Sequence, residues 1–173
     1  REYTGGAAVV ALQMRALRAE CRYLSVVGRD ENAAIASQEL KRLNVKHVLV
    51  EDNSRPTTFK IRYLVNNQKM FRVSRMKEHS ISRQVEDQII KEIKVAASQI
   101  QGILISDFVY GVITPRVLET ITKLSKKNHL LVFGDLQCSS QVGNVSKFKN
   151  FDLICATERE SRIALGTRDE GVE

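Results

Sequence analysis

Amphipathic and apolar runs alternate along most of this chain. "AAVVALQMRALRA" (7–19) carries apolar residues at helical spacing, and "CRYLSVVG" (21–28) follows as a strand-like run ending on Gly28. "ENAAIASQELKRLN" (31–44) repeats Ala34, Ile35, Leu40 and Leu43 at helical spacing, and Asp30 stands where it could cap that helix. "VKHVLV" (45–50) predicts the next strand. Further on, "VEDQIIKEIKVAASQI" (85–100) predicts a helix, "GILIS" a strand from Gly102, "PRVLETITKLSKKN" (115–128) a helix and "HLLVFGD" (129–135) a strand. "FDLICA" (151–156) and "ERESRIALG" (158–166) add one more strand and helix, the helix closed by Gly166 at a C-cap. Strands alternating with helices predict an α/β fold, with a parallel sheet covered by helices on both faces.

One segment breaks the alternation. "TTFKIRYLVNNQKMFRVS" (57–74) holds two period-2 stretches around Asn66-Asn67, a pair that tolerates the left-handed backbone of a hairpin turn. Lys60, Arg62 and Arg72 share a parity on each arm and are expected to line one face. The expected organisation is one discontinuous α/β core, 1–52 and 75–173, with residues 53–74 inserted as a lid over a site, a dimerisation arm, or both.

Composition narrows the possibilities. The 173 residues are 43% hydrophobic and 27% charged, which suits one globular domain. No apolar run is long enough to span a bilayer, and "REYTGGAAVV" lacks a signal-peptide layout, so no membrane partner is expected. Cys21, Cys138 and Cys155 are far apart with no CxxC pair, which suggests reduced thiols in a cytoplasmic setting. His47, His79 and His129 are isolated, leaving a metal cluster nothing to build on. The net charge of +7 is spread along the chain, with a modest concentration between Arg55 and Lys77. Without an RNP-like motif, helix-turn-helix spacing, or aromatic interleaving beyond Tyr63 and Phe71, it predicts an anion-binding patch and no nucleic-acid partner.

The junction "GILISDFVYGVITPRV" (102–117) puts Asp107 where an apolar strand stops and a helix is about to begin. In an open parallel sheet ligands bind at that end of the strands. Asp is also an ordinary turn residue, and a turn or helix-capping role stays open beside the ligand-facing one.

The order of "TGGAAVVAL", "VVGRDENA", "RPTTFKIRYLVNNQKMFRV", "SDFVYGVIT" and "LICATERESRIALG" resembles the ribokinase/PfkB family of carbohydrate kinases, most nearly its heptose 7-phosphate kinase branch. The resemblance implies a ribokinase-like parallel α/β fold whose small β lid closes over a sugar or sugar phosphate and pairs with its counterpart in a homodimer. It implies substrate contacts from Gly5, Gly6, Asp30, Arg55, Thr57, Thr58, Lys60, Arg62, Arg72 and Asp107, with Glu160 helping to organise magnesium and the phosphates of ATP. The chemistry is compatible: glycines admit close backbone approach, carboxylates accept from sugar hydroxyls, and Arg and Lys hold phosphate. For Gly5-Gly6 an ordinary turn remains the alternative, and for Glu160 a first-turn helix acid favoured by the dipole.

The departures from the family are specific. Val9 stands for a sugar-binding Asn, Ala33 for a glycine and Tyr110 for a lysine. Asp135-Leu136-Gln137 stands for D-P-K, Ala156-Thr157 for P-N, and Ser74 for an acid. The family's catalytic Gly-Ala-Gly-Asp motif does not occur in this sequence, and neither does a G-x-x-x-x-G-K-[ST] or G-x-G-x-x-G phosphate loop. These features fit the sugar-binding part of an active sugar kinase, or a kinase-like module without phosphotransfer that binds sugar phosphate or dimerises. An unrelated basic α/β binding domain is the third reading.

Overall fold

A computed structural model describes residues 3–66, 68–137 and 143–167. The contacts divide the chain into two units, Arg1–Ile89 and Ile90–Glu173.

The first unit begins with helix α1 (Gly6–Ala16), strand β1 (Arg22–Val27), helix α2 (Glu31–Arg42) and strand β2 (Lys46–Glu51). β1 and β2 pair in parallel, Arg22 opposite Lys46 through Val27 opposite Glu51, so α2 is the crossover that a parallel pair requires. α2 starts where its sequence says it should: Asp30 is extended at the N-cap and its carboxylate accepts from the Ala33 amide at 3.0 Å. Ala8 and Ala11 of α1 pack with Leu40 and Val45, and Leu12, Cys21, Tyr23, Leu43 and Leu49 close around this core. Burial pushes the Cys21 thiol up, so it behaves as a core thiol.

The chain then leaves the parallel frame for an antiparallel hairpin, β3 (Phe59–Val65) and β4 (Gln68–Arg75). Asn66 turns with φ of 48°, the left-handed geometry expected there, while Asn67 lies outside the described residues. The pairing of Lys60 with Ser74 and Arg62 with Arg72 puts all three predicted cations on one face. The opposite face carries Phe59, Ile61, Tyr63, Phe71 and Val73 together with Arg75, and Tyr63 stacks on Phe71 at 4.3 Å. A register shift between Tyr63 and Leu64 ends this alternation near the tip.

Helix α3 (Arg83–Ala96) leads into the second unit. Its start is two residues earlier than its apolar pattern suggests, and the Ser82 hydroxyl accepts from the Val85 amide there. Next come strand β5 (Gly102–Asp107), helix α4 (Pro115–Asn128), strand β6 (Leu131–Leu136), a 3-10 turn (Val145–Lys147), strand β7 (Leu153–Cys155) and helix α5 (Glu158–Leu165). β5, β6 and β7 form a parallel sheet in that order. α4 is capped by Thr114, opens on Pro115 and buries Val117, Ile121 and Ser125 along one stripe. His129, expected in the following strand, is instead the left-handed C-cap of α4 with φ of 54°, which delays β6 to Leu131. Gly166 closes α5 with φ of 74°, as its position predicts.

Candidate functional site

In the first unit the carboxyl end of β1 is fastened to the root of the hairpin. Gly28 approaches so closely that a Cβ there would stand 2.6 Å from the Arg55 carbonyl oxygen and from the Thr57 nitrogen. Only glycine permits that contact. The Gly28 amide donates to Thr57 Oγ1 at 3.0 Å, and the Thr57 amide donates to Asp30 Oδ2 at 2.8 Å. Asp30 therefore holds α2 with one oxygen and the hairpin root with the other. Burial pushes its carboxyl up, but hydrogen bonds from Thr57 and Ala33, with the nearby Arg75 charge, outweigh that and leave it below the usual aspartate range. A cleft of about 540 Å³ opens beside it, lined by Asp30, Glu31 and Asn32 at the start of α2 and by Phe59, Ile61, Val73 and Arg75 on the apolar face of the hairpin.

The remaining expected substrate residues of this unit divide by place. Lys60, Arg62 and Arg72 lie on the hairpin face turned away from that cleft-lining set. Thr58 is exposed and Thr57 is buried. Gly5 is the N-cap of α1 and Gly6 its first residue, and among the described residues a Cβ at Gly5 would meet nothing within 4 Å. Val9, one turn further on, is 41% exposed.

Arg55, an expected substrate residue, lies at the root of the hairpin. Its side chain is only 6% exposed, and its Nε donates to Asp52 Oδ2 at 2.9 Å. A guanidinium nitrogen donates to the His79 carbonyl at 2.6 Å. Asp52 also accepts from the Ser54 amide and hydroxyl at 2.9 and 2.6 Å. Burial pushes the Asp52 carboxyl up; the Ser54 hydrogen bonds and the Arg55 guanidinium more than offset this and hold it below the usual range. Asp52, His79 and the close approach of Gly28 went unremarked in the sequence as functional features. For Asp52 the "DNSRP" string carried an available signal, since Asp commonly bonds the backbone two residues on.

In the second unit Asp107 ends β5, 4% exposed, and the Val109 amide donates to its Oδ1 at 2.7 Å. Val109 has φ of 62°, a cost for a β-branched residue that the Asp107 bond helps to hold. Asp107 Oδ2 is paired with the ammonium of Lys147, which also lies 5.4 Å from the Phe148 ring centre. Tyr110 stands where the family resemblance expects a cation, and a cation reaches Asp107 instead from forty residues downstream. No local sequence signal exposes that pairing. Asp135 accepts from the Gln137 amide group at 3.0 Å on both oxygens. Glu160, buried, completes a capping box: Thr157 Oγ1 accepts from the Glu160 amide, and Glu160 Oε2 accepts from the Thr157 amide and hydroxyl, both at 2.8 Å. "TERE" is the T-x-x-E signature of that box and was readable in advance.

The family resemblance implies magnesium together with the phosphates of ATP. Among the described residues no three His, Cys, Asp or Glu side chains converge, and Glu160 is engaged in its cap. Among the described residues no helix is long and apolar enough to cross a membrane.

The model of the pfkB family of carbohydrate kinases matches residues 1–173. The chain belongs to that family. The bifunctional protein HldE of Geobacter metallireducens is 31% identical over 170 residues, covering 96% of this chain and 34% of that protein. The HldE of Trichlorobacter lovleyi is 28% identical over 163 residues, covering 94% and 32%. The chain thus spans about a third of the length of the curated relatives it matches. Among solved structures, phosphofructokinase-2 from Escherichia coli in complex with fructose-6-phosphate superposes with a TM-score of 0.70 at 14% identity, over 94% of this chain and 52% of that one. Ribokinase from Giardia lamblia gives 0.64 at 15% identity, over 86% and 48%. The ribokinase-like α/β fold expected from the sequence is therefore the fold of this chain.

Proposed function

We propose that this chain is the sugar-binding part of a pfkB-family kinase that acts on a phosphorylated sugar of the heptose 7-phosphate type. The observation that carries this is the cationic hairpin face. Arg62 and Arg72 are directly opposed across the antiparallel pair with Lys60 two residues along, and like charges so placed oppose each other. An anion bound across them converts that repulsion into charge-assisted hydrogen bonds. Asp30 and Thr57 hold the hairpin root to the end of β1, and Gly5 leaves backbone open to a hydroxyl-rich ligand. The phosphoryl donor, ATP with magnesium in the family, is assigned no residue of this chain.

Calorimetric titration with heptose 7-phosphate and with the unphosphorylated heptose tests the reading. The phosphate ester binds and the free sugar binds more weakly. Arg62→Ala with Arg72→Ala costs the ester about tenfold or more in affinity. Equal affinity for both ligands, or an unchanged double variant, refutes it.

A second reading rests on the other hairpin face. Ile61, Tyr63, Phe71 and Val73 are 38–55% exposed, and a two-stranded hairpin is marginal by itself, so a second copy covering this face would stabilise it. The module would then be a homodimeric scaffold, with or without phosphotransfer. Sedimentation decides: a dimer that Phe71→Asp dissociates supports it, and a monomer at all concentrations removes it.

A further inference from the structure

The hairpin has two stems, residues 52–58 leading in and 76–81 leading out. The first stem is fixed to the α/β frame, because the Asp52 amide donates to the Val27 carbonyl at 2.8 Å and Thr57 is bonded to Gly28 and Asp30. The second stem is held to the first by Arg55, whose guanidinium spans from Asp52 to the His79 carbonyl 24 residues on. His79 Nε2 lies 3.4 Å from the Ser54 carbonyl, a weaker link between the same stems.

We infer that Arg55 is a positioning residue that latches the two stems together, setting the pose of the hairpin's cationic face without itself touching a ligand. A guanidinium fits this task and poorly fits phosphate binding here. Its charge is balanced by Asp52, its side chain is nearly sealed from solvent, and its planar fork serves a carboxylate and a carbonyl at once. A lysine could keep the ion pair with Asp52, but its single nitrogen lacks the separate, rigidly spaced Nε and Nη2 donors that meet Asp52 and the His79 carbonyl. The latch stands on geometry alone; only its effect on ligand affinity rests on the sugar-phosphate reading above.

Hydrogen exchange on the whole chain separates the two. In Arg55→Lys, amides of residues 61–64 and 70–73 exchange about tenfold faster, while those of β1 and β2 change by less than about threefold. Should Arg55→Lys fold poorly, Asp52→Asn with Arg55→Met removes both buried charges together and gives the same hairpin-confined acceleration. Wild-type exchange in the hairpin, or equal acceleration across hairpin, β1 and β2, overturns the latch. Heptose 7-phosphate is the binding probe. If the wild type binds it and Arg55→Lys binds it equally well, the positioning role is overturned. If the wild type does not bind it, the sugar-phosphate reading fails and hydrogen exchange alone decides the latch.

Discussion

Replacing Gly28 by alanine is the most direct test of how the hairpin is joined to the frame. The new Cβ would stand 2.6 Å from Arg55 O and Thr57 N and 2.8 Å from the Pro56 carbonyl carbon, where ordinary contact begins near 3.4 Å. All three are main-chain atoms, so no rotamer change relieves the clash, and the 55–57 segment must retreat by most of an ångström. Overpacking of that kind costs about 1–3 kcal/mol. The retreat also stretches two hydrogen bonds, Gly28 N–H to Thr57 Oγ1 and Thr57 N–H to the Asp30 carboxylate. A neutral bond contributes about 0.5–1.5 kcal/mol and one to a charged group about 1.5–3. Partial loss of both brings the expected total to about 3–5 kcal/mol, a large fraction of a domain's usual stability. Urea unfolding followed by far-ultraviolet circular dichroism reads it. Gly5→Ala is the internal control: its Cβ meets nothing within 4 Å, so the change should stay below about 1 kcal/mol. A Gly28→Ala loss below about 1 kcal/mol would mean that the root of the hairpin yields freely, and the reasoning from close approach would be wrong.

Two further outcomes follow from the hydrogen-bonded carboxylates. Lys147→Met leaves Asp107 buried with the Val109 amide donating to it and should cost about 2–3 kcal/mol, below the full range for a buried pair because Lys147 is 28% exposed. Adding Asp107→Asn should restore at least half of the loss in urea unfolding; no recovery would show that the ion pair is not what the lysine contributes. Asp30 and Asp52 both titrate below the ordinary aspartate value of about 3.9 when folded. Their stabilisation is therefore complete above that value and is lost as pH falls through the lower folded values, so the urea midpoint should fall steeply below about pH 4. A midpoint that is flat from about pH 5 to pH 3 would contradict the depressed folded values.

Much of the fold was legible because its signals are local. Helix periodicity placed α4 at 115–128 to the residue, Asp30 and Gly166 marked a start and a stop, and parity alone put Lys60, Arg62 and Arg72 on one hairpin face. The family likewise followed from the order of short strings, and the pfkB model matches the whole chain. Residue roles were less legible. From the sequence Asp30 fits both a cap and a ligand, and its cap is observed together with a second bond to Thr57 that only the folded chain brings within reach. Glu160 shows the reverse: the helix-acid alternative is the arrangement observed, as a capping box contained within four residues.

The sequence by itself determined which segments become helix or strand, which residues share a face, and which family the chain joins. These depend on backbone periodicity and on motif order, both written along one dimension. Tertiary structure decided which charges are available. Arg55 and Lys147 look as free in the sequence as Arg62, yet each is drawn to a carboxylate, Asp52 or Asp107, that the fold has buried. Taking a carboxylate out of water demands a counter-charge or hydrogen-bond donors. The chain supplies it from wherever the folded path passes, three residues away for Asp52 and forty for Asp107.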